Sequence, residues 1–349
     1  MIYKPLVLIT LLSEDKKMVI KSKAGLILSS IVFTGMAMAK PIPTSYSGME
    51  NGHVAPASLQ KIAEDAAYVQ KNYTPQQYQE IVEDPYNNAK NDKERVAAIA
   101  AREIIFMVDR SGSMSGTDDD PTGKRRPNWT LWKSAKEAAI SLFEVSLALD
   151  ANGQLDVFLW SQEFYDRPAT IVHEEITQQH QIETLFNLQP KGGTPLAEAL
   201  EHVYQKKLKL LLQRNEPFTV VVLTDGMPSR ISMDRNEQDP QDKVYKFFRK
   251  LVSENRLDLP GRETLAAFSF IQAGDDIGAE NFLTALDDNL IEGYTDSTGL
   301  RYNSIGIDIV DYKKDNFIFG TGTPEEMIDS KGNRSKGGPM AVFWDAMFD

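Results

Sequence analysis

Apolar residues in this chain are arranged in two alternating rhythms. Ile104-Ile105-Phe106-Met107-Val108 is an unbroken apolar run, the pattern of a strand covered on both faces. Comparable runs lie at 155–160, 218–223 and 265–271. Thr170-Ile171-Val172 predicts a short edge strand, and a last strand is expected near 305–310. Between these runs the apolar positions return with helical spacing, which predicts helices over 129–149, 177–188, 195–212, 239–255 and 279–290. Strands alternating with helices mean βα units. The predicted fold is therefore α/β: a doubly wound, mostly parallel central sheet with helices on both faces. No internal repeat is visible.

Upstream of the first run the pattern weakens. Residues 40–56 are rich in Pro, Ser and Gly and read as a linker. Ser58-Leu59-Gln60-Lys61-Ile62-Ala63 opens one helix. Thr74-Pro75 opens a second, with Thr as N-cap and Pro in the first turn, and 91–101 predicts a third. Together they form an N-terminal helical lead-in that packs on the main domain and carries no evident chemistry. The first 39 residues read as a targeting segment. Lys21 and Lys23 precede an apolar stretch over 24–39 that ends Ala37-Met38-Ala39, an A-x-A cleavage pattern. A signal peptide is expected, with an uncleaved N-terminal anchor as the alternative. Translation starts at Met1 or at Met18, since Glu14 and Asp15 interrupt the stretch before it. The expected division is 1–39 signal peptide or anchor, 40–101 linker and lead-in, 102–311 main domain and 312–349 C-terminal tail. In the tail, periodicity is lost until an apolar stretch around Trp344, which is expected to dock onto the domain.

Composition narrows the function classes. The net charge of −12 disfavours a nucleic-acid partner, because phosphate contacts need clustered Lys and Arg. It suits a site that attracts cations. With no cysteine there is no disulfide and no thiolate metal site. His53, His173, His180 and His202 show no ligand spacing. No glycine-rich loop precedes a Lys-Ser or Lys-Thr pair, so no phosphate cradle is expected.

In a doubly wound sheet, ligands bind beyond the carboxyl ends of the strands. Three segments fall there: Asp109-Arg110-Ser111-Gly112-Ser113, Gly192-Gly193-Thr194 and Thr224-Asp225-Gly226. Asp109, Ser111 and Ser113 alternate, so an extended loop turns them toward one point. Thr194 adds a hydroxyl and Asp225 a second carboxylate. This all-oxygen set selects Mg2+, with Mn2+ or Ca2+ as alternatives, over zinc or copper. Each piece alone has a plainer explanation. Asp109 can be a loop or cap residue, Thr194 before Pro195 an N-cap, and Asp225-Gly226 a turn. Their order along the chain and their complementary chemistry favour a site.

Asp109-Arg110-Ser111-Gly112-Ser113-Met114, Gly192-Gly193-Thr194-Pro195 and Leu223-Thr224-Asp225-Gly226 together resemble the metal ion-dependent adhesion site of von Willebrand factor type A domains. The resemblance covers about 102–311. It implies that Ser111 and Ser113 coordinate the metal directly. It implies that Thr194 does so directly or through water, and that Asp109 and Asp225 act mostly through water. It also implies that an acidic group of a partner fills the open position. Charge counting agrees, since two carboxylates neutralise a divalent ion and leave room for a third. This chain departs from the family by an insertion over 115–126, whose acidic Asp118-Asp119-Asp120 reads as a solvated loop or a second cation site. Trp160, Ser161 and Gln162 are expected on the same rim, with Trp160 alternatively in the core. Asp275 and Asp276 read as helix caps first.

The expected function is a binding module that captures an acidic side chain of a partner protein through a bound Mg2+. It is not an enzyme, uses no small-molecule cofactor and works outside the cytoplasm, touching a membrane only if the N-terminal segment stays uncleaved. Two alternatives are a metal-dependent hydrolase and an assembly factor working with an ATPase.

Overall fold

Six segments become the strands of one sheet: β1 (Glu103–Asp109), β2 (Leu155–Ser161), β3 (Thr170–Ile176), β4 (Phe218–Thr224), β5 (Ala266–Gln272) and β6 (Val310–Lys314). They appear in a computed structural model that describes residues 56–119, 125–149, 153–164, 167–229, 239–315, 318 and 339–347, with four two-residue strands nearer the N-terminus. The spatial order is β6-β5-β4-β1-β2-β3. All neighbours are parallel except β2 and β3. β2, β4 and β5 are buried along their whole length, as their apolar runs require. From β1 the chain moves outward to β2 and β3, then returns to lay β4 on the opposite side of β1. The switch point therefore lies between the carboxyl ends of β1 and β4. Val108 pairs with Leu223, so Asp109 and Thr224 end their strands side by side.

Two strands differ from expectation. β3 runs to Ile176 instead of stopping at Val172, because a whole antiparallel register with β2 is available to it. The last strand is Val310–Lys314, not 305–310. Pairing with β5 begins only at Phe268↔Val310. The apolar residues just upstream, Ile305 and Ile307, pack against the core without joining the ladder. The hydrophobic pattern marks burial there, and the ladder decides pairing.

The lead-in forms α1 (Pro56–Asn72), α2 (Pro75–Glu83) and α3 (Asp92–Ala100). Thr74 and Asn91 close capping boxes with Gln77 and Glu94. One face of the sheet is covered by α1, α3, α4 (Leu131–Leu149) and α5 (Gln179–Leu185). Phe106 on that face meets Phe143 edge-on at 4.2 Å. Val54, ahead of α1, donates its amide to Glu144 at 2.8 Å, so the linker's end already touches α4. The other face is covered by α6 (Leu196–Val203), α7 (Pro240–Asn255) and α8 (Ile277–Glu292). The C-terminal helix α9 (Pro339–Asp345) buries Val342 and Phe343 in the first core, so the tail does dock. Among the described residues no helix is long and apolar enough to cross a membrane. Within residues 1–43, Leu8–Ile9 pairs with Ile20–Lys21, and the expected targeting segment otherwise lies outside the described residues.

The helix expected over 195–212 widens into a π turn at Tyr204–Leu208 before resuming at Lys209–Arg214. The turn brings Lys207 onto buried Asp156, which also pairs with His173. His173 is thus exposed at the edge strand and yet tied to a buried carboxylate.

At the opposite edge, burial and then Asp311 and Asp308 push the Asp287 carboxyl up to about 8. A carboxyl whose folded pKa is raised stabilises the fold fully below its unfolded value near 4, and that contribution is lost as pH rises through about 8. Asp287→Asn is therefore expected to stabilise the protein by about 1–2 kcal/mol at pH 8 and by nothing measurable at pH 4. Thermal melts of both proteins across that range check it, and a pH-independent difference would refute it.

Candidate metal centre

Asp109 ends β1 with its carboxylate fully buried. One oxygen accepts the Ser111 amide at 2.7 Å, and the other accepts the Thr224 hydroxyl at 2.7 Å. The chain then turns through a 3-10 segment, Gly112–Ser115, anchored by the buried Met114. That turn places the Ser111 and Ser113 hydroxyls 2.9 Å apart. Ser113 donates to Asp225 at 3.0 Å, and the Ser111 hydroxyl lies between Ser113 and the Asp109 carboxylate. Four of the five expected ligands thus form one connected set across the switch point. Ser111 and Asp225 are buried while Ser113 is exposed, so the set opens to solvent at Ser113.

Thr194 joins this set through backbone rather than through its hydroxyl. Its loop is laced to β1 by Lys191 N to Arg110 O and Gly112 N to Gly192 O, both 2.8 Å. It is laced to the end of β2 by reciprocal bonds between Gln162 and Gly193 at 3.1 and 2.8 Å. Gly192 sits at φ +79, and a Cβ there would lie 1.8 Å from the Gln162 carbonyl oxygen. Only glycine fits. Thr194 is buried, and α6 begins two residues later at Leu196 with no side-chain cap from Thr194. The plainer reading of Thr194 as an N-cap is thereby removed. Its amide donates to the Ser229 hydroxyl at 2.7 Å and its carbonyl accepts the Ser229 amide at 2.9 Å. Ser229 clips the Thr194 loop to the segment after Asp225. Sequence reasoning missed it, because a serine four residues beyond Asp225 in a polar loop carries no signal of its own.

The other rim residues separate cleanly. Trp160 is fully buried and belongs to the core. Asp276 caps α8 through the Ala279 amide at 2.7 Å, and exposed Asp275 meets Lys314 at 3.7 Å. The insertion folds partly into a hairpin, Thr117–Asp119 against Arg125–Thr130, while Asp120 lies outside the described residues.

Electrostatically the site is under tension. Burial, then the charge of Asp225, raises the Asp109 carboxyl well above the usual range, against weaker pulls from Thr224 and Ser111. Burial raises Asp225 as well, opposed by the Ser113 hydroxyl. Two like charges drawn together out of water favour a proton or a cation between them. Among the described residues no group of three or more His, Cys, Asp or Glu is arranged to hold a metal. The donor set is instead two carboxylates with neighbouring hydroxyls, which fits a hard divalent ion that retains water.

Residues 104–227 match the family model described as von Willebrand factor type A domain. Domains of that family often mediate protein–protein interaction and adhesion. No curated protein matches the chain. Among solved structures, the SpRpn10 VWA domain aligns at 12% identity and a TM-score of 0.38, covering 62% of this chain and 89% of that one. The manganese-loaded Plasmodium vivax TRAP protein aligns at 15% identity and a TM-score of 0.34, covering 64% and 73%. The human COPII-coat protein Sec24c aligns at 8% identity and a TM-score of 0.32, covering 61% and 29%.

Proposed function

We propose that this protein, whose residues 104–227 match the von Willebrand factor type A family model, is a cation-dependent binding module that captures an acidic group of a partner protein. Asp109, Ser111, Ser113, Thr194 and Asp225 would hold one divalent ion, Mg2+ in the first place and Mn2+ or Ca2+ as substitutes. The observation that carries this reading is the hydrogen-bonded set running from Asp109 through Ser111 and Ser113 to Asp225, with both carboxylates buried. When bound, the cation supplies a fixed positive charge that draws a partner carboxylate. Thr224 and the Ser111 amide hold Asp109 in place, while exposed Ser113 presents the set to solvent. Phe164 and Met227 are exposed on the loops that follow β2 and β4, and Ile277 is exposed at the start of α8, beyond β5. They offer apolar contact area beside the acidic group, as binding surfaces commonly do. Export belongs to the same reading, on the strength of the apolar stretch ending Ala37-Met38-Ala39.

The test uses the protein as bait on extracts of its source, with Mg2+, with chelator, and as the Asp109→Ala variant. A partner retained only by wild type with Mg2+ is expected. Capture indifferent to all three conditions would place the partner on another surface. Thr194→Ala is expected to weaken partner capture more than resting Mg2+ affinity, and equal losses in pull-down and calorimetry would count against a role for Thr194 in engaging the partner.

A further inference from the structure

Arg110 follows Asp109 yet points away from the carboxylate set. Only 6% of it is exposed, and the carboxylate that feels its charge, Glu163, is itself paired with Lys191. Burying a guanidinium is costly unless its donors are met, so its contacts matter. Its amide donates to the Trp160 carbonyl and its carbonyl accepts the Lys191 amide, both at 2.8 Å. Its guanidinium donates to the Ser161 hydroxyl at 3.1 Å and to the Gln189 carbonyl at 3.3 Å, while Nε is buried and unpartnered. One residue thus joins the ends of β1 and β2 to the irregular loop that leads into Gly192, Gly193 and Thr194. Such a loop has no ladder of its own and needs its polar backbone groups met from outside. A planar guanidinium reaches two acceptors in fixed directions, which an ammonium does not do.

We propose that Arg110 is a positioning residue that holds the Thr194 loop in register with Asp109, Ser111 and Ser113. This rests on the cation-site reading above. Calorimetric titration of the full-length protein with Mn2+ compares wild type with Arg110→Gln, Arg110→Lys and Ser161→Ala. Amide hydrogen exchange at Lys191 and Gly193, whose amides bond Arg110 and Gln162, is measured on the same proteins without metal. Arg110→Gln is expected to weaken Mn2+ binding about tenfold or more, as loss of an outer support to a metal ligand commonly does. Exchange at Lys191 and Gly193 should accelerate together with that loss. Arg110→Lys keeps the charge but not the fork, so it should resemble Arg110→Gln. Ser161→Ala should show a smaller loss of the same kind. Leu286→Ala, buried under the other sheet face, lowers stability generally and should leave Mn2+ affinity unchanged.

A folded Arg110→Gln with wild-type affinity and wild-type exchange would overturn the proposal, as would affinity restored by Arg110→Lys. If Arg110→Gln does not fold, Ser161→Ala decides by the same two readouts. If wild type takes up no Mn2+, the cation reading fails on its own, and the exchange at Lys191 and Gly193 still decides whether Arg110 holds the loop.

Discussion

Replacing Asp109 with alanine, or Ser111 and Ser113 together, is expected to abolish divalent-cation binding while the fold survives. The expected loss is about 100-fold or more in affinity, beyond what an outer support contributes. The fold should survive because these side chains stabilise the loops only modestly. Asp109 accepts two hydrogen bonds, worth about 1–3 kcal/mol together. Against that stands the cost of burying its charge beside Asp225. Thermal melts give the readout. At a Mg2+ concentration about 100 times its dissociation constant, wild type should gain about 2.7 kcal/mol, and the variants should gain nothing. A variant that folds and still responds to Mg2+ like wild type would remove Asp109, Ser111 and Ser113 from the site.

The second large effect is a crossing of stabilities with pH and metal. Asp109 and Asp225 both have folded pKa values raised above their unfolded ones. Their contribution to stability is fully present below about pH 4 and is lost as pH rises toward neutrality. In chelator, Asp109→Asn should therefore be more stable than wild type at pH 8, by on the order of 2 kcal/mol, with no advantage at pH 4. With saturating Mg2+ the order should reverse at pH 8, because the cation compensates the two charges of wild type and finds only one in the variant. The stabilisation by Mg2+ should itself grow with pH across this window, as protons leave the site. Melts of both proteins in Mg2+ and in chelator at both pH values test this. A difference that ignores pH, or that Mg2+ does not reverse, would mean the carboxylate pair is not a cation trap.

The docked C-terminal helix packs against α3 and α4, in the layer that covers β1. Val342 and Phe343 share a core with Phe106 and Val108 of β1. The lead-in helices pack into that same core, so the strand ending in Asp109 is braced by chain from both ends of the sequence.

Much of this was legible from residue order alone. Apolar runs of strand length and helical repeats between them determined the α/β class, because a strand buried on two faces has no polar alternative to offer. The candidate site's position was legible for a similar reason. Asp109, Ser111, Ser113 and Asp225 lie within a few residues of strand ends, and a doubly wound sheet brings its strand ends to one rim. Tertiary structure alone decided the rest. It placed β4 beside β1, which brought two aspartates distant in sequence to one site. It assigned the last strand to Val310–Lys314, since pairing depends on register with β5 and not on apolarity. It sent Trp160 to the core and freed Thr194 from capping α6. It also recruited Ser229 and Arg110, whose roles lie in hydrogen bonds to segments far away in sequence. Local sequence encodes which surfaces must leave water. Which polar atoms then meet is decided by packing, because a hydrogen bond exists only once distance and direction are both met.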